Sequence, residues 1–225
     1  SNVFLLINRS FASSKRLSEI LTEEPSITSP FSALKQINAG EIEFKNVSFK
    51  YKETSEEYVL KDINLKIASG ESIGILGGTG SAKSTLVSLI LRLYDTTEGE
   101  VLLNGENVKK YDLKVLRDNV AIVLQNNVLF SGTIKENLLW GDQNATPEDI
   151  LRVCEIACVQ EFLDRLPNGL DYDLGQGGVN VSGGQKQRLC IARALLKKPH
   201  VIIFDDSTSA CDMETERNIL KGIRA

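Results

Sequence analysis

Hydrophobic and polar positions alternate differently in successive stretches of the chain. Over residues 3–22, Phe4, Leu5, Ile7, Phe11, Leu17, Ile20 and Leu21 recur at a loosely helical spacing among Arg9, Lys15, Arg16 and Glu19. This predicts a helix with one apolar side and no core of its own. The Pro- and Ser-rich run 23–30 reads as a linker, so the folded unit is expected to begin near Gly40. Ile42, Phe44, Val47 and Phe49 then mark a strand with one irregular step, Val59, Ile63, Leu65 and Ile67 a second, and Asn104-Gly105 a hairpin turn after Val101 and Leu103. These are antiparallel signals. Val120 to Leu124 and Val201 to Phe204 are instead short, almost wholly apolar runs, the pattern of central strands covered by helices on both faces, and the stretch from Ile73 reads as an apolar strand that runs into a Gly-rich turn. Helices are predicted over Glu148 to Leu166, with Thr146 as N-cap and Pro147 at the first position, and from near Ser182 to Lys198, where Pro199 stops the run. The fold class expected is α/β with a mainly parallel sheet and an added antiparallel part.

Composition narrows this little but excludes much. Of 225 residues, 42% are hydrophobic and 25% charged, which suits one globular core with an appendage and not a disordered chain. The net charge of −4 lacks the basic excess of a nucleic-acid surface. Cys154, Cys158, Cys190 and Cys211 include no C-x-x-C, and His200 is the one histidine, so neither a zinc site nor a disulfide framework is indicated. They read as buried thiols of a reducing compartment, and His200 as a structural residue. No apolar run approaches the ~20 residues of a membrane span, so the chain itself is expected to be soluble. It starts without methionine and is expected to be a fragment.

The chemistry begins where the run 73–76 meets a Gly-rich turn. The pattern G-x-x-x-x-G-K-[ST] is met by Gly77, Lys83 and Ser84, with Ala82 in place of the second glycine. Such a loop, from Gly77 through Gly78, Thr79, Gly80, Ser81 and Ala82 to Lys83, Ser84 and Thr85, curls backbone N–H groups around phosphates at a helix N-terminus. Lys83 reaches the terminal phosphates and Ser84 ligates Mg²⁺. Asp205, ending a buried strand, is expected to hold Mg²⁺ directly or through water. Ser182-Gly183-Gly184-Gln185 places a hydroxyl and two glycines at a second helix start, another anion-binding end. One nucleotide does not need two such ends from one subunit. The economical explanation is two nucleotides sandwiched between two P-loop domains.

At these residues the chain resembles the nucleotide-binding domain of ABC transporters, over roughly residues 40–225. Gly77 to Thr85 is similar to the family's Walker A, Phe204 to Asp206 to the end of its Walker B, Ser182 to Gln185 to its signature and Ser209-Ala210-Cys211-Asp212 to its D-loop. The resemblance implies a P-loop NTPase core with an antiparallel β subdomain and a helical signature subdomain, binding ATP and Mg²⁺. It implies that Tyr51 stacks on adenine and that Gln125 is the Q-loop residue, which senses Mg²⁺ and the membrane partner. Ser84, Gln125 and Asp205 become the metal set, and Asp206, Gln125 and Lys83 the catalytic set. Leu174 to Gly178 is similar to the X-loop of exporters, and residues 1–38 to the cytosolic tail of a last transmembrane helix plus linker, which leaves 39–225 as the ATP-binding domain. An exporter implies a transmembrane domain upstream in the same chain, a second ABC subunit, and a place on the cytoplasmic face of the cell membrane. No nucleic-acid partner is expected.

Three departures from the family pattern matter. Ala82 replaces a glycine, Asp206 stands where the family usually has a glutamate general base, and the family's switch histidine falls beyond Ala225. With an intact signature, the aspartate points to a non-identical partner, this chain holding the slow site. Two other readings compete: a soluble ABC ATPase acting on DNA or ribosomes, disfavoured by the acidic charge and the exporter-like segments, and a regulatory module that binds ATP and hardly hydrolyses it.

Overall fold

The computed structural model describes residues 2–52, 54–78, 80–205 and 211–224. Helix α1 (Asn2–Leu21) forms as its spacing predicts and stands exposed, with Phe4, Phe11 and Ile20 at 70%, 75% and 74% exposure. Among the described residues no helix is long and apolar enough to cross a membrane. The linker is less free than its composition suggests. Arg92, itself buried, donates to the carbonyl oxygens of Thr28 (3.1 Å) and Lys109 (3.3 Å). Ser29 Oγ accepts from the Leu113 N–H, Leu34 bridges to Tyr111, and Ile37 is buried. The packed body therefore reaches upstream of Gly40.

Strands β1 (Ile42–Phe49), β2 (Leu60–Ile67), β3 (Glu98–Leu103) and β4 (Glu106–Asn107) form an antiparallel sheet in the order β2-β1-β3-β4. The irregular step expected in β1 is a register shift between Phe44 and Val47. Gly99 faces that bulge with φ +69°, and a Cβ there would lie 2.2 Å from the Asn46 carbonyl oxygen, so only glycine fits. The β3–β4 turn puts Asn104 and Gly105 at φ 53° and 77°, both positive as a type I′ hairpin requires.

Strands β5 (Val120–Val123) and β6 (Val201–Phe204) pair in parallel, Val120 opposite Val201 and Val123 opposite Phe204. Period-two alternation splits their side chains between two cores. Val120, Ile122, Val201 and Ile203 join the antiparallel sheet with Leu86, Leu89 and Ile90 of α2 (Lys83–Ile90) and Leu116 of α3 (Leu113–Asn119). Ala121, Val123, Ile202 and Phe204 pack against α4 (Ile134–Leu139), α5 (Pro147–Ile156), α6 (Gln160–Leu163), α7 (Gly183–Leu196) and α8 (Met213–Arg224). Each fully buried Leu or Ile in such cores contributes roughly 1.5–3 kcal/mol, so these short strands are held by their faces more than by their ladder.

Three expectations are corrected. The helix predicted over Glu148 to Leu166 is broken into α5 and α6. Cys158, at φ 54°, ends α5 in a Schellman motif, with the Val159 N–H donating to the Cys154 carbonyl (2.7 Å) and the Cys158 N–H to that of Glu155 (3.0 Å). Burial of Ala157, Cys158 and Val159 selects this turn, which periodicity cannot register. The run before the Gly-rich loop, residues 71–78, belongs to neither sheet; Ile73 and Ile75 are about 40% exposed and Leu76 97%. An apolar run becomes a strand only where a neighbouring edge takes its N–H and C=O groups, and among the described residues no strand pairs with 71–78. The signature helix also ends slightly early, at Leu196, with Lys198 at φ 52°.

Candidate functional site

The Gly-rich loop ends at Lys83, the first residue of α2. Ala82 is its N-cap in the left-handed region (φ 63°, ψ 23°) with no side-chain cap, where a methyl costs about 1–2 kcal/mol. Its carbonyl still accepts the first helical bond, from Leu86 at 2.9 Å. Lys83 folds back so that Nζ donates to the carbonyls of Gly77 (2.8 Å) and Gly78 (3.2 Å), across the mouth of the loop. Gly77 packs closely against Ser81, where a Cβ would lie 2.5 Å from Ser81 Oγ unless that hydroxyl turned away. Gly77, Gly78, Gly80, Ser81 and Ser84 are exposed; Thr79 lies outside the described residues.

Tyr51 comes to this loop from just beyond β1. Its hydroxyl lies 2.7 Å from Thr85 Oγ1 in the first turn of α2. Thr85 is buried, whereas Tyr51 is 55% exposed, so the ring is tethered at its tip and open along its side. Phe49 and Tyr94 meet that ring edge-on, at centroid distances of 5.0 Å and 5.2 Å. Tyr94 was not singled out by the sequence. No motif links it to Tyr51, and only the tertiary fold makes them neighbours.

Gln125 and Asp205 share the other part of the site. Asp205 follows β6, and its N–H donates to the Val123 carbonyl of β5 at 3.0 Å. Gln125 follows β5 and is exposed. In-register parallel pairing thus sets both at the carboxyl ends of adjacent strands, where open α/β sheets bind ligands. Among the described residues no hydrogen bond joins either residue to the Gly-rich loop. Asp206, Ser209 and Ala210 lie outside the described residues.

Ser182 caps α7 in a complete capping box: the Gln185 N–H donates to Ser182 Oγ (3.3 Å) and the Ser182 N–H to Gln185 Oε1 (2.8 Å). The hydroxyl keeps its own proton to donate, and the Gly183 and Gly184 N–H groups have no intrahelical partner. Arg188 pins the helix by donating to the Cys158 carbonyl (2.8 Å) and Glu161 (2.7 Å).

A cavity lies elsewhere. It holds about 420 Å³ beside the segment after Gln125, with Val128, Phe130 and Trp140 on its apolar side and Arg117, Arg193 and Lys197 on its basic side. The thiols of Cys154, Cys158 and Cys190 are buried, and burial pushes that of Cys154 up to about 11. His200 Nδ1 donates to Asn119 Oδ1 (2.8 Å), a structural contact.

A family model described as "ABC transporter" matches residues 60–209. The chain belongs to the ABC transporter family. Its fold is the ABC ATPase P-loop fold, and its relatives include exporters. It is 41% identical over 214 residues to ABC transporter B family member 21 of Arabidopsis thaliana, covering 94% of this chain and 16% of that protein. It is 44% identical over 188 residues to a putative multidrug export ATP-binding/permease protein of Staphylococcus aureus, covering 84% of this chain and 32% of that one. Among solved structures, a bacterial Atm1-family ABC exporter with ATP bound superposes with a TM-score of 0.90 at 31% identity, over 99% of this chain and 39% of that chain. The chain thus spans well under half the length of these relatives.

Proposed function

We propose that this chain is the ATP-binding and ATP-hydrolysing motor of an ABC exporter, working on the cytoplasmic face of a cell membrane beneath a transmembrane domain of the same polypeptide. The observation that carries the reading is the Tyr51–Thr85 hydrogen bond, which sets an exposed aromatic ring beside the first turn of the phosphate-loop helix. Base and triphosphate then have adjoining holders. Tyr51 stacks on adenine, the loop from Gly77 to Ala82 offers N–H groups, and Lys83 exchanges its carbonyl partners for the terminal phosphates. Ser84 and Asp205 supply a hydroxyl and a carboxylate, hard oxygen donors suited to Mg²⁺, and Gln125 completes the set. When bound, Mg²⁺ neutralises charge on the phosphates. Exposed Leu124, just before Gln125, and exposed Val128, Phe130 and Trp140, after it, supply an apolar face for the membrane domain.

Hydrolysis needs a base within hydrogen-bonding reach of the attacking water, and Asp206 is one methylene, about 1.5 Å, shorter than glutamate. Binding is therefore expected to outlast hydrolysis at this chain's own loop. The Ser182 to Gln185 end, with its hydroxyl proton and two free helix N–H groups, closes on the loop of a second, non-identical subunit and completes the faster site. In the assembled transporter, Asp206→Asn should leave most of the ATPase rate, and Ser182→Arg should remove most of it. If Asp206→Asn stops hydrolysis, the aspartate is a working base and the two sites are equivalent.

A further inference from the structure

We infer that Tyr94 is a positioning residue for the purine base: it fixes the ring plane of Tyr51 on which the base stacks. The inference rests on the nucleotide-site reading above. Tyr51 sits on the segment after β1, whose neighbours are exposed loop, so its own backbone does little to orient the ring. Three contacts do. Its hydroxyl meets Thr85 Oγ1 at 2.7 Å, the buried Phe49 ring meets it at 81° and 5.0 Å, and the Tyr94 ring at 88° and 5.2 Å. Phe49 and Tyr94 also touch each other, at 5.5 Å, closing a three-ring cluster. Edge-to-face geometry of this kind favours one orientation of the central ring, because the positive edge of one ring lies on the negative face of another.

Tyr94 is fit for this work because its backbone is fixed. Helix α2 ends in a Schellman motif, with the Leu93 N–H donating to the Ser88 carbonyl (3.0 Å) and Arg92 at φ 49°. The Arg92 guanidinium is tied to Asp95 (2.9 Å) and to two backbone carbonyls, and Arg117 donates to the carbonyls of Leu91 (3.3 Å) and Arg92 (3.0 Å). Tyr51 is thus held by both ends of α2: its tip at Thr85, its edge at Tyr94. Loss of Tyr94 leaves the hydroxyl tether in place and lets the ring turn about it.

The test is the affinity of the full chain for Mg-ATP and for Mg-tripolyphosphate, which has the phosphates without the base, in wild type, Tyr51→Ala, Tyr94→Ala and Tyr94→Phe. Tyr94→Ala should weaken ATP roughly 3- to 10-fold, the range for one lost aromatic pair, and leave tripolyphosphate unchanged; Tyr94→Phe should bind both as wild type does. Tyr94→Ala binding ATP normally, or losing both ligands equally, would overturn the inference, the second result meaning that Tyr94 only supports α2. The Phe variant guards against simple misfolding, since it keeps the ring. If Tyr51→Ala also leaves ATP binding intact, the nucleotide-site reading fails with it; if Tyr51→Ala weakens ATP and Tyr94→Ala does not, only the positioning role is lost.

Discussion

The starts of α2 and α7, proposed above as the two anion-binding ends, are built in opposite ways. At α7 the first turn is closed by its own side chains, Ser182 and Gln185 satisfying each other's backbone. At α2 the cap is a left-handed Ala82 with no side-chain bond, and Lys83 is parked on loop carbonyls. Anchoring of α2 lies at its far end, in the Schellman turn and the buried Arg92. A helix start meant to wrap a ligand keeps its donors unspent and tolerates strain, and needs a clamp elsewhere. On the proposed reading of α7, one that presses against a ligand held by a partner is better rigid beforehand.

Arg92→Ala should break this contrast most severely. It removes the clamp and strands the Thr28 and Lys109 carbonyls; with Asp95 still partly solvated, the loss should be about 3 kcal/mol, at the lower end for a broken buried pair. Denaturant melts would show it, and a loss below about 1 kcal/mol would mean that α2 is anchored elsewhere. Lys83→Ala should affect ligand and not fold: ATP affinity down roughly 10- to 100-fold, from charge-assisted bonds worth ~1.5–3 kcal/mol, with the melting curve nearly unmoved. Tight binding by that variant in calorimetry would count against the phosphate loop itself.

Ser182→Ala should cost about 1 kcal/mol of stability, the usual effect of losing an N-cap, because α7 uses its cap for folding. No shift in the melt would mean the box is incidental. The smallest effect is Ala82→Gly. Relief of left-handed strain of about 1–2 kcal/mol outweighs the ~0.4–1 kcal/mol that glycine adds in unfolded-chain entropy, so a gain of roughly 0.5 kcal/mol is expected. A destabilised glycine variant would show that the methyl, which packs against the core with Leu86, matters more than its strain.

Much of this was legible locally. The bulge in β1, the Asn104-Gly105 hairpin and the Thr146 and Ser182 caps each depend on residues within a few positions of one another, and each forms where the sequence puts it. Elements defined by neighbours far along the chain were not legible. Residues 73–76 have the apolar run of a buried strand but no paired edge, and Cys158 takes a left-handed turn because the core closes around it, not because its side chain prefers one.

The site divides along the same line. Residue types and spacing alone named the candidates for holding phosphate, metal and base, because helix starts, hydroxyls and carboxylates carry that chemistry wherever they stand. Tertiary structure alone decided that Tyr51 reaches Thr85, that Tyr94 braces it, that Asp205 lies beside the β5 end bearing Gln125, and that the 28–37 segment is stitched to the body through Arg92. Such contacts join residues whose separation in sequence leaves no periodic or local trace; they exist only after chain closure has been offset by the burial of two cores.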